Sequence, residues 1–210
     1  MTSIMLEAFL LTLNLHLYDD LMFFAGCCLA FCGFLRVSEF CAPSRFGLRL
    51  HLSLQDLLVG ASRAQLRLKS SKTDIYRKGV WVPLACSRGP VCAVKALTAF
   101  LRRRPRGLES SFKPLFIHQD GRPMLADWFS RRLQRVCSRH GFLGRVSSHS
   151  LRIGAATSAA QAGIPDHVIK ELGRWSSECF KTYIRIDPDV LERAVARMTE
   201  AHRDAGPSFN

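Results

Sequence analysis

The sequence predicts an α+β chain, mainly α-helical, with one small antiparallel β-sheet or hairpin. Three observations carry this. Most of the 210 residues fall into apolar helical runs or helices with one apolar stripe. Short two-residue alternation is confined to the stretch from 51 to 84. The composition, 48% hydrophobic and 22% charged, suits a chain that buries a core. The length fits one domain, or one domain with an appendage.

Residues 4–17 and 20–35 read as two apolar helices. The uncharged run from Leu21 to Leu35 is 15 residues long and holds Gly26 and Gly33. It falls short of the ~20 residues of a membrane span and reads as a buried core helix. Cys41 to Leu50, with Pro43, Ser44 and Gly47, reads as a loop. The alternating segments His51–Leu54, Ala64–Lys69 and Val80–Leu84 read as strands, with the polar stretch Ser70 to Gly79 as the hairpin connection. Pro90 opens a helix running to Arg104. Leu115 to His118 is a short strand before the turn Gln119-Asp120-Gly121. Ala126 to His140 is a helix whose outer face carries Arg131, Arg132, Arg135 and Arg139. Ser148 caps a helix from His149 to about Ala162. Pro165 starts another, with Ile164, Val168, Ile169 and Leu172 on one face and Gly173 as its stop. A last helix from Pro188 to Ala201 places Leu191, Val195 and Met198 on a stripe.

Lys and Arg number 30 against 17 Asp and Glu, a formal charge of +13. Residues 1–35 carry −3, so the remainder carries +16. Arg outnumbers Lys 23 to 7, and the planar guanidinium is the fork-shaped phosphate donor. A surplus of this size suits a polyanion, nucleic acid above all, although charge alone also suits an anionic membrane. The eight cysteines include no CxxC pair and no Cys/His cluster with zinc spacing. They read as reduced thiols of an intracellular protein. No basic stretch precedes an apolar run, which argues against a signal peptide.

Chemistry is concentrated near the C-terminal end. His149 and Arg152 stand at i and i+3, on one helix face near its N-terminus, where backbone N–H groups attract phosphate. Such a pair is often only a solvated one. Gly173-Arg174-Trp175 follows, and Tyr183 comes eight residues after the Trp. A Trp or Tyr there is ordinarily packing. Here Arg174, Lys181 and Arg185 flank the phenol, and cations favour both phenolate and a bound phosphate. Arg36 follows the buried helix, three residues before Glu39, and its plain reading is a helix-end cation. Lys72 lies in the hairpin connection, where a lysine is ordinarily solvated. Arg102-Arg103-Arg104-Pro105-Arg106 is a basic run, read as a phosphate-contacting or nuclear-targeting patch or as plain solvated surface.

Taken in order, these segments resemble the catalytic domain of the tyrosine recombinases, the phage integrase family. HSLRIGAATSAAQAGIPDHVIKELGRWSSECFKTYIR, from His149 to Arg185, is the specific part. It is similar to the eukaryotic DIRS and Crypton mobile-element branch. LRVSEF at 35–40 resembles the first-arginine motif, and SKTD at 71–74 resembles the lysine hairpin. The resemblance implies the tyrosine-recombinase catalytic fold and an active site of Arg36, Lys72, His149, Arg152, Trp175 and Tyr183. Arg36 and Arg152 would clamp the scissile phosphate. Tyr183 would attack phosphorus to leave a 3′-phosphotyrosine. Lys72, with Lys69 and Lys78 as competitors, would protonate the leaving 5′-oxygen. His149 would serve as acid or base. Trp175 stands where many relatives have His, and would pack the site and donate a hydrogen bond.

The resemblance further implies a site-specific DNA recombinase or integrase from a mobile element, acting on duplex DNA in the nucleus without metal or other cofactor and without a membrane. Residues 1–187 would be the catalytic domain and 188–210 a C-terminal helix and tail that mediates self-assembly on DNA. The N-terminal core-binding domain of relatives is expected to be absent, as in a fragment, a truncated copy or a partner-dependent protein. The alternative is a non-catalytic DNA-binding protein derived from such a recombinase. The flanking sequence disfavours a type IB topoisomerase, and the lack of a carboxylate cluster disfavours a metal-dependent nuclease.

Overall fold

A computed structural model describes residues 1–69, 79–105, 107–108, 110–142, 146–184 and 192. Among the described residues the helices are α1 (Ser3–Ala8), α2 (Tyr18–Cys32), α3 (Val37–Phe40), α4 (Ala93–Arg102), α5 (Ala126–Arg139), α6 (His149–Gln161) and α7 (Asp166–Gly173). Three strands, β1 (Leu57–Val59), β2 (Arg63–Leu68) and β3 (Val80–Ala85), form one antiparallel sheet in the order β1-β2-β3. The expected mainly helical α+β class is what the structure shows.

α2 is the axis of the molecule. It is apolar on all sides, and twelve of its fifteen residues are buried. Such a helix belongs in a core rather than at a surface. α4 packs along it, and a set of Phe rings fills the space towards α5. Phe129 lies 5.3 Å from Phe23 and 5.0 Å from Phe40, ring centroid to centroid. Among the described residues, no helix is long and apolar enough to cross a membrane.

The sheet covers one side of this core. Ala64, Leu66 and Leu68 of β2 point inward with Val82 and Leu84 of β3, while Arg63, Gln65 and Arg67 point out. Leu68 pairs with Val80, and the register holds to Arg63 opposite Ala85. Pro83 is tolerated because β3 is an edge strand. The expected connection from 70 to 78 lies outside the described residues, as do Lys72 and the expected helix from 188 to 201, apart from residue 192.

Several local expectations are corrected. The helix expected over 4–17 stops at Ala8, with a 3-10 turn over Phe9–Leu11. Asn14 breaks it: its side-chain oxygen accepts from the His16 N–H, and its own N–H bonds to Asp20. His51–Leu54 is not a strand. Ser53 and Asp56 form a capping box that turns the chain before β1 begins. Leu115–His118 bends at its start and joins no sheet, because its backbone bonds go to separate partners at Leu52, Arg122 and Met124. Ser148 stands before α6 without capping it. Ser150 Oγ instead accepts the Ser147 N–H.

The basic features are also partly structural. Arg132 is not free on the α5 face, since it pairs with Asp20 of α2. In the Arg102 run, Arg103 donates to the carbonyls of Leu15 and His16, and buried Arg104 donates to those of Leu108, Pro114 and Leu115. Lys69 is likewise spent. It pairs with Asp56 at 2.6 Å and donates to Leu48 O, His51 O and Ser53 Oγ.

Phe129 is fully buried at the junction of α2 and α5. Phe129→Ala is expected to cost about 3–5 kcal/mol of unfolding free energy. Urea denaturation followed by circular dichroism measures it.

Candidate active site

Two helix ends meet beside the main core. α2 closes with its Gly33 N–H on Leu29 O, after which Phe34 turns left-handed at φ 52°. The Phe34 N–H bonds to Phe31 O at 3.2 Å and the Leu35 N–H to Ala30 O at 2.8 Å. α7 ends in the same way. Arg174 sits at φ 54°, its N–H on Glu171 O at 2.9 Å, with the Trp175 N–H on Lys170 O at 3.0 Å. Both are Schellman caps, whose left-handed position usually holds Gly. A side chain there costs about 1–2 kcal/mol. The two such residues of the described chain, Phe34 and Arg174, face each other.

The caps leave carbonyls directed at one point, and Arg152 of α6 occupies it. It donates through Nη1 to Phe34 O at 2.6 Å and through Nη2 to Gly173 O at 2.5 Å. A cation at two helix C-termini is favoured by both dipoles. The Trp175 ring covers the guanidinium, with Cζ 4.5 Å from its centroid. Arg152 is fully buried, and its Nε has no partner among the described residues. Burial first, then the Arg36 charge, brings its pKa down to about 10, so it remains charged at neutral pH.

Arg174 turns back onto the end of α2 and donates to Gly33 O and Phe34 O, each at 3.0 Å. It also reaches Glu39 Oε2 at 3.2 Å. The buried Glu39 carboxylate accepts the Arg36 backbone N–H at 2.8 Å and Arg36 Nη1 at 2.9 Å. Arg36 is therefore the N-cap of α3 rather than a cation at the end of α2. Its side chain is 24% exposed, which makes it the more open of the two expected phosphate ligands.

His149 lies one turn before Arg152 on α6. Its ring is edge-on to Tyr183, centroids 5.2 Å apart. Tyr183 ends a 3-10 segment, Glu178–Tyr183, and its ring is 5.9 Å from that of Trp175. Thr157 Oγ1 is 3.0 Å from the Tyr183 carbonyl, which ties the segment to α6. A small apolar cluster of Phe34, Ala155, Ala156, Ile169, Trp175 and Phe180 underlies the site, separate from the main core.

Five of the six expected site residues, Arg36, His149, Arg152, Trp175 and Tyr183, are thus brought together. The sixth, Lys72, lies outside the described residues. Lys181 is not directed at the phenol; it is exposed and pairs with Asp166 and Glu178. Of the other two tyrosines, Tyr18 is buried in α2 and Tyr76 lies outside the described residues. Of the residues that position the site, Thr157 was not singled out from sequence, and Glu39 and Gly173 were named without a role in the site. The Arg36/Glu39 spacing was a visible signal for Glu39. Gly173 had only its place as a helix stop. A Cβ there would lie 1.5 Å from the Trp175 ring, so no other residue fits beneath the indole as placed.

Burial first, then the Arg152 and Arg36 charges, holds the His149 imidazole below the ordinary histidine range. The folded protein therefore holds it neutral at pH 7, able to accept a proton. Its contribution to stability is full above about pH 6.5 and falls as pH drops, because the unfolded chain takes up the proton first. Arg36→Gln is expected to raise the His149 titration midpoint, read from imidazole NMR shifts. An unchanged midpoint would remove Arg36 from the field at this ring.

The phage integrase family model matches residues 14–188. Solved structures share the fold at low identity. XerA recombinase matches with a TM-score of 0.69 and 18% identity, over 100% of this chain and 66% of that one. XerH site-specific recombinase, in a post-cleavage complex with a palindromic difH substrate, gives 0.68 and 16%, over 93% and 51%. FLP recombinase in a Holliday junction complex gives 0.55 and 16%, over 92% and 49%. The chain thus spans about half to two thirds of the length of these recombinases. No curated protein sequence matches it. The helical layout with its three-stranded sheet is the tyrosine-recombinase catalytic fold, and with the family model running through both caps and the phenol, the chain belongs to the phage integrase family.

Proposed function

We propose that this chain is the catalytic part of a site-specific DNA recombinase or integrase that cuts and rejoins duplex DNA through Tyr183. The observation that carries the proposal is the convergence of Arg36, His149, Arg152, Trp175 and Tyr183 from separate segments onto the paired helix ends. Tyr183 attacks phosphorus, the 5′-oxygen leaves, and a 3′-phosphotyrosine ester keeps the bond energy for rejoining. Arg36 and Arg152 stabilise charge on the non-bridging oxygens. His149, held neutral, takes or returns a proton. Lys72 protonates the leaving oxygen. Arg152 is covered by Trp175 and spends two N–H groups on carbonyls, so a phosphate reaches it only when the indole moves aside. Outward-facing Arg63 and Arg67 of the sheet and Arg131, Arg135 and Arg139 of α5 offer further phosphate contacts. The similarity to the DIRS and Crypton branch supports an origin in a eukaryotic mobile element and therefore action in the nucleus. Residues 188–210 mediate self-assembly on DNA.

A suicide duplex substrate is expected to trap a denaturation-resistant protein–DNA adduct. The adduct should persist in excess chelator, because guanidinium groups supply the cationic field. Tyr183→Phe should remove it while folding and DNA binding survive, since a lost hydroxyl hydrogen bond costs only ~1–3 kcal/mol. An adduct that survives Tyr183→Phe would move the nucleophile elsewhere. DNA binding without any wild-type adduct would favour the non-catalytic alternative, which the complete burial of Arg152 also favours.

Binding itself should weaken steeply with salt, as neutralised phosphates release counterions. A flat plot of log affinity against log salt, measured by fluorescence anisotropy, would contradict the basic surface as the DNA contact.

A further inference from the structure

Cys86 follows the last residue of β3, and Cys92 is the N-cap of α4. Five residues separate them, yet their sulfurs lie 3.7 Å apart and share a hydrogen bond. The intervening turn is closed by its own contacts. The Ser87 N–H donates to Cys92 Sγ at 3.3 Å, and Ser87 Oγ donates to Val91 O at 3.1 Å. The two thiols are unequal. Burial pushes the Cys92 thiol up, but hydrogen bonds from the Lys95 and Ser87 N–H groups, with those from the Cys86 thiol and the Ser87 hydroxyl, outweigh it and hold Cys92 below the ordinary thiol range. The shared hydrogen bond pushes Cys86 up. The arrangement is that of a buried thiol of lowered pKa at a helix N-cap beside a second, more accessible thiol.

The remaining described thiols near this pair differ. Cys28 and Cys32 approach Cys92 from α2, and burial pushes both up. Lys95, on the first turn of α4, donates to Arg88 O at 3.3 Å, and its charge acts to lower the Cys86 thiol. Neither Cys86 nor Cys92 belongs to the candidate active site.

We propose that Cys86 and Cys92 form a reversible redox-modification site that a small hydroperoxide converts to an intramolecular disulfide. The Cys92 thiolate attacks the peroxide O–O bond, giving a Cys92 sulfenic acid and an alcohol, or water when the oxidant is hydrogen peroxide. The Cys86 sulfur then attacks the sulfenic sulfur, forming the S–S bond and releasing water. Two thiols are oxidised and one peroxide is reduced. A dithiol reductant reverses the change. The bond would fasten the end of β3 to the start of α4.

Brief hydrogen peroxide treatment of the folded chain, thiol blocking and tryptic mass mapping test this. Peptides 79–88 and 89–95 should appear joined, two hydrogens lighter than their sum, and separate again with dithiothreitol. Cys179→Ser should leave the linkage unchanged. Cys86→Ser should stop the reaction at a sulfenic acid on Cys92, captured by dimedone. Linkage of Cys92 to Cys32 or Cys28 would overturn the proposal. So would Cys86 and Cys92 remaining blocked as free thiols while exposed Cys179 is oxidised.

Discussion

One guanidinium group joins the parts of this molecule that form the candidate active site. Arg152 reaches from α6 to the closing carbonyls of α2 and α7. Neither carbonyl has a helical partner of its own, because each belongs to a helix end. A buried charge without partners is costly, and so is a buried carbonyl without a donor. The contact resolves both at once. It also fixes where α7 stops, and so where Trp175 and Tyr183 begin.

The left-handed residues at the two caps follow from the same constraint. Phe34 accepts strain to present its carbonyl to Arg152 and Arg174, and its ring then packs edge-on to Trp175, centroids 6.1 Å apart. Arg174 accepts it to return its side chain to the end of α2. Strain of this kind persists where surrounding contacts over-determine it, and such places tend to be functional. Here the contacts are the small apolar cluster below and the Glu39 carboxylate beside. Gly173 completes the arrangement by leaving room for the indole.

Electrostatically the site is unbalanced by design. Arg36, Arg152 and Arg174 share one buried carboxylate, Glu39. Burial, and then the field that Glu39 does not cancel while it satisfies Arg36 and Arg174, lowers the proton affinity of both Arg152 and His149. A surplus positive field in a partly dry site favours an incoming phosphate and a neutral imidazole together. The main core supports this from a distance, since α2 is held by Phe packing that does not depend on the site.

Much of this was legible in the chain. The length and apolar character of α2, the alternation in β2 and β3, and the order of Arg36, His149, Arg152, Trp175 and Tyr183 are local patterns. Burial and the helical and strand periods act over a few residues, so sequence reports them directly. Other features depended on partners remote in the chain. That Arg103, Arg104, Arg132 and Lys69 are spent on structure, while Arg131, Arg135 and Arg139 stay exposed, depended on which carbonyls and carboxylates the fold brought near. The break at Asn14 depended on Asp20 reaching back to it. The proximity of Cys86 and Cys92 depended on a turn closed by Ser87. The sequence by itself determined which residue types were present and at what local spacing. Only the tertiary structure decided which charges were already paired, because pairing is a matter of distance through space.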